Sequence, residues 1–168
     1  MVTLPKADSC SSRLLSMSDD GPTIDAAELK ITVELWLSEK FKGVEERDDG
    51  RLFVPRFGST ALFVAVKEAF QGKHVTVVLE SPVLVDVPIT RELLEYVGYK
   101  SGVYLFGHLA VMGHSGVGTN GHLLFRHTLL GDSLDKTELV LTAGLVAATA
   151  NRLDDDLQVR FGGKRFYN

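Results

Sequence analysis

The residues of this sequence whose types could do chemistry gather late in the chain. Four of the five histidines, His108, His114, His122 and His127, fall in two β-forming stretches or in the glycine-rich segment between them. Imidazole ligates metals and titrates near neutrality, so such side chains on one face of an antiparallel pair could share a metal ion or form a pH-sensitive patch. Parity limits the set. His122 and His127 are an odd number of residues apart and point to opposite sheet faces, so at most His108, His114 and one histidine of the second stretch converge. Neither stretch contains Cys, Asp or Glu, and separate half-exposed histidines are the simpler expectation.

Between the stretches, Gly116-Val117-Gly118-Thr119-Asn120-Gly121 matches G-x-G-x-x-G. A dinucleotide fingerprint needs those glycines to end a strand and open a helix, where the pyrophosphate meets the helix N-terminus. Here a strand follows, so the glycines predict a hairpin loop with Asn120-Gly121 as its turn signal. Asp132 and Ser133 lie near His127 as a hydrolase triad would require, but they stand where the last helix needs capping residues, and no G-x-S-x-G elbow is present. The acidic runs 45–49 and 154–156 lack the spacing of a calcium loop and read as solvated surface. No residue is assigned a catalytic, cofactor-binding or metal-binding role. A ligand- or metal-binding enzyme built on the histidine-bearing hairpin is the alternative from another class.

The elements that would position these residues follow from periodicity. Residues 1–23, rich in Ser and Asp, predict a disordered tail, with Met17 an alternative start, and 24–168 a single domain. Over 24–41 the apolar positions Ala26, Leu29, Val33, Trp36, Leu37 and Phe41 recur at helical spacing, with Thr23 as the expected N-cap. The run 45–50 reads as a charged turn. Strands are expected at 52–56, 61–66 and 74–84, joined by turns short enough to make them antiparallel, with Pro55 and Pro82 at edges or strand ends. Thr90 caps a short helix carrying Leu93, Leu94 and Val97. Strands at 103–112 and 122–130 come next, then a helix over about 135–159 whose buried face is Leu139, Ala143, Val146, Ala150, Leu153 and Leu157. The order α-β-β-β-α-β-β-α predicts an α+β fold, a five-stranded antiparallel sheet with helices packed on it.

Composition excludes several functions. The chain has 168 residues with 18 basic against 22 acidic side chains, a net charge of −4, and its scattered basic residues lack the footprint of a nucleic-acid binder. The single Cys10 leaves no pair for a disulfide or a structural zinc site and suits a reducing, cytoplasmic setting. No run is long and apolar enough for a signal or membrane segment, so no membrane partner is expected.

What stands out is an apolar surplus. In the stretch 103–112 one parity reads Tyr104, Phe106, His108, Ala110, Met112, and the other Leu105, Gly107, Leu109, Val111. A strand sticky on both faces predicts a homodimer interface or a groove for a peptide. Tyr104, Phe106, His108, Met112 and Phe125 are the expected peptide-binding residues.

Several local strings carry a resemblance. They are Pro82-Val83-Leu84-Val85-Asp86-Val87-Pro88, Leu105-Phe106-Gly107, Leu130-Gly131-Asp132-Ser133-Leu134, Ala147-Ala148-Thr149-Ala150 with Asp154-Asp155, and Phe161-Gly162-Gly163. In order and spacing over 24–163 the chain is similar to the type III secretion chaperone-like and YbjN superfamily, in particular its small bacterial peptide-binding chaperones. The matching positions set turns, caps and close packing, and transfer no catalytic residue or cofactor. The resemblance implies a non-enzymatic protein, often dimeric, that holds a partly unfolded client against apolar surface. YbjN-like members are associated with regulation, so a regulatory module with a folded partner is the nearer alternative.

Overall fold

The computed structural model describes residues 24–113 and 115–167, so the expected tail, Cys10, Met17, Thr23 and His114 lie outside the described residues. Helix α1 (Ala26–Lys40) is capped by Asp25, whose carboxylate accepts from the Ala27 N–H. It buries Leu29, Val33 and Leu37, the i, i+4, i+8 stripe that a helix lays against a sheet.

Six strands follow in one antiparallel sheet: β1 (Glu45–Glu46), β2 (Leu52–Phe57), β3 (Thr60–Ala69), β4 (His74–Pro88), β5 (His108–Met112) and β6 (Asn120–Leu130), ordered β1-β2-β3-β4-β6-β5. The five-stranded expectation is corrected by β1. Its two acidic residues pair with Phe53 and Leu52, but a two-residue exposed edge strand carries no apolar alternation by which sequence could announce it. Helix α2 (Arg91–Lys100) leads from β4 towards β5, and α3 (Lys136–Phe161) closes the order. Thr90 caps α2 as expected, its hydroxyl accepting from the Leu93 N–H, and Asp135 caps α3 through the Glu138 N–H.

Strand β4 is the spine. Eight consecutive residues, Val77 to Leu84, are buried, since β3 and β6 flank the strand and helices cover one face. It continues past the expected end to Pro88 by shifting register against β6 after Pro82 and again after Leu84. Pro82 therefore lies in a central strand, contrary to expectation. It is tolerated because its pairing falls at a bulge, beyond the last β3 partner of β4 at Glu80.

Helices α1 and α3 cover the face bearing Leu62, Val64, Val77, Leu79, Leu123 and Phe125. Among the described residues no helix lies on the opposite face. After Gly162 the chain turns back, and Lys164 makes an antiparallel bridge to Val85 of β4. Among the described residues no helix is long and apolar enough to cross a membrane.

Candidate functional site

Strand β5 is the edge of the sheet, and among the described residues only β6 pairs with it. Its beginning differs from expectation. Residues 103–107 are a turn, because Gly107 has φ +70° and lies flush against the neighbouring strand. A Cβ there would come 2.6 Å from the Arg126 carbonyl and 2.8 Å from the Phe125 ring, so the strand alternation starts only at His108.

That turn splits the five expected peptide-binding residues. Phe125 is 1% exposed and belongs to the core. Tyr104 packs its ring edge-on against Phe125 at 5.1 Å, and partial burial pushes its hydroxyl pKa up, with Tyr96 beside it. These two residues brace the site from inside. Phe106 is 43% exposed and lies over the His127 ring at 5.9 Å. His108 and Met112 are exposed on the helix-free face, opposite Arg126 and His122.

The outward edge of β5 has defined polarity. The Leu109 carbonyl accepts from the Ser101 hydroxyl at 3.1 Å, so it points away from β6. A strand residue directs its N–H and C=O to the same side and every second residue repeats the direction, so Val111 also presents its main chain outward. Around this edge, between positions 94 and 112, six large apolar side chains are exposed: Leu94, Tyr99, Val103, Leu105, Phe106 and Met112. Leu105 is 93% exposed. Tyr99, Val103 and Leu105, all exposed, were not among the five expected residues, because 103–112 was read as one strand sticky on both faces and Tyr99 fell outside it.

Across the helix-free face, one row of the ladder reads Phe53, Phe63, Glu80, Arg126, His108. Glu80 is held by Arg126 Nε at 3.4 Å and Arg51 Nη1 at 3.6 Å, and this pairing lets a carboxylate sit nearly buried among apolar neighbours. Elsewhere, an open apolar cleft of about 640 Å³ runs between the end of α1 and the start of α3, lined by Phe41, Val140, Leu141, Gly144 and Leu145.

The expected set of His108, His114 and a third histidine includes His114, which lies outside the described residues. His122 and His127 face opposite sides of β6, as parity requires. Burial holds the His127 pKa below the ordinary imidazole range, the charge of His108 adds to the depression, and Glu138 opposes it. No group of three or more His, Cys, Asp or Glu that could hold a metal exists among the described residues. The expected capping role of Asp132 is corrected as well. Its carboxylate accepts from the Val75 N–H and lies 2.7 Å from His74 Nδ1, tying the start of β4 to the turn before α3. The glycine loop is knit to main chain, with Gly118 N–H donating to the Ile89 carbonyl and Ile89 N–H to the Thr119 carbonyl. It leads into a strand and has no helix N-terminus on which to seat a phosphate.

Three comparisons bear on this arrangement. Residues 27–168 match the sequence profile of TY-Chap1, described as a T3SS (YopN, CesT) and YbjN peptide-binding chaperone. Among solved structures, the chain is similar to one in the crystal structure of the ExsC-ExsE complex, at a TM-score of 0.54 and 8% identity, covering 77% of this chain and 93% of that one. No curated protein matches the sequence.

Proposed function

Because the chain belongs to the TY-Chap1 family of T3SS and YbjN peptide-binding chaperones, we propose that it binds an extended client segment along the outer edge of β5, without catalysis. The observation that carries this reading is an edge strand whose outward main chain is flanked on both sides by exposed apolar residues. A client strand laid there gains main-chain hydrogen bonds at Leu109 and Val111. Its alternate side chains fall towards Phe106 on one side and Met112 on the other. The Ser101 hydroxyl, now bonded to the Leu109 carbonyl, stands where a client N–H would donate.

The test is capture of peptides from an immobilised array of varied apolar pattern. Val111→Pro removes an outward donor without touching the bonds to β6, and Phe106→Asp or Met112→Asp charges the flanks. Each is expected to lower capture at least tenfold. Phe70→Asp, at an exposed position on the β3–β4 turn, is expected to leave it unchanged. Capture that survives Val111→Pro and both Asp variants would contradict the proposal. The same edge would also accept a second copy of the chain, and loss of a dimer mass in Val111→Pro by light scattering would show that self-pairing uses it.

A further inference from the structure

The C-terminal segment is bound much as an extended peptide would be. Beyond Pro82, β4 has outrun β3, and its free main chain is taken up by the tail. Val85 N–H donates to the Lys164 carbonyl at 2.7 Å, and Lys164 N–H donates to the Val85 carbonyl at 2.8 Å. Tyr167 N–H then donates to the Ser59 carbonyl at 2.8 Å. Between these anchors, Phe166 rests on the helix-free face against Phe63 at 5.8 Å and Phe53 at 6.5 Å. Two carboxylates hold the preceding cations, Asp86 on Lys164 at 3.0 Å and Asp155 on Arg165 at 2.8 Å.

We infer that residues 163–167 are a displaceable internal ligand, occupying a second extended-peptide site whose preferred sequence is two basic residues followed by an aromatic one. The inference rests on the peptide-binding reading only for what displaces the tail, and not on the β5 edge. Three features separate this tail from a fixed structural element. It follows Gly162 and Gly163, both at positive φ, +75° and +82°, where the chain reverses without steric strain, with Gly163 lying flush against Val87 of β4. Its Lys164–Asp86 pair is solvent-exposed, and such a pair holds weakly. Arg165 Nε is buried without a hydrogen-bond partner, the one such side-chain atom among the described residues. An incompletely satisfied self-ligand is one that a better-fitting segment can replace. Intramolecular tethering would keep the site closed to weak competitors and open it to strong ones.

The test uses the full chain and a fluorescein-labelled peptide with the sequence of residues 163–168, Gly-Lys-Arg-Phe-Tyr-Asn. The Phe166→Ala chain, its tail loosened, is expected to bind this peptide at least tenfold more tightly than the unaltered chain does. A peptide with Ala in place of its Phe should fail to bind. Val111→Pro introduced into the Phe166→Ala chain should leave this binding intact while abolishing client capture at β5, so the two sites fail independently. No binding to the Phe166→Ala chain would overturn the inference. A second readout is exchange of the Val85 amide in the unaltered chain. Exchange well before global unfolding is expected, and exchange only on global unfolding would show the tail to be a permanent part of the sheet.

Discussion

Gly107 decides where the edge strand begins and what it displays. With φ +70° and the Arg126 carbonyl in the space a Cβ would fill, no L side chain fits without moving the backbone. Gly107→Ala is expected to destabilise the fold by about 2 kcal/mol or more in chemical denaturation, from left-handed strain plus the close approach. A neutral result would mean that the chain between Tyr104 and His108 runs straight. His127 makes a second prediction at this scale. Its folded-state pKa is depressed by burial and by His108, so folding favours the neutral ring. That contribution is complete above the ordinary imidazole value of about 6.5 and is lost as the pH falls towards the depressed value. The melting temperature should therefore drop on going from pH 7.5 to 5.5 by more in the parent chain than in His127→Gln, and equal drops would exclude His127 as a source. The residue-level chemistry was only partly legible in sequence. Parity correctly separated His122 from His127, but nothing in the spacing could pair His74 with Asp132, which lie far apart along the chain and meet only through the sheet.

Among the elements, those whose burial is one-sided and long were readable. Helix α3 buries Leu139, Ala143, Val146, Ala150 and Leu157, the period-3.6 stripe expected from sequence, and Leu153, also expected there, packs against the core partly buried. Truncating Val146→Ala in the centre of that stripe, where the side chain is fully buried, should cost about 0.5 to 2 kcal/mol, measured by urea titration. No change would mean the helix presents another face. Strand β4 shows why other bounds were missed. Once its apolar residues are buried on both faces, alternation disappears, and the two register shifts that carry it past Pro82 depend on partners in β6 that no local pattern reveals. The start of α1 shows a smaller version of the same problem. Thr23 and Asp25 both satisfy the chemistry of an N-cap, and the structure places Asp25 there.

At the scale of the whole molecule, the described helices gather on one face of the sheet and leave the other to the chain after Gly162. The sheet's edges are treated differently. The outer edge at β1 is short and acidic, a composition that discourages further pairing, whereas β5 is flanked by apolar side chains that invite it. The tail pairs with the stretch of β4 that runs past the start of β3. The surplus of apolar residues at both parities of 103–112 was visible in sequence and pointed to this region. Which of those residues face solvent was not, because that depends on Gly107 and on β6 lying between β5 and β4. Whether a client lies along β5 is read out by hydrogen–deuterium exchange of the chain with and without a captured array peptide. Protection concentrated in residues 108–112, with the α1–α3 cleft unchanged, is the predicted result. Protection at Phe41, Leu141 and Leu145 with β5 unaltered would contradict it.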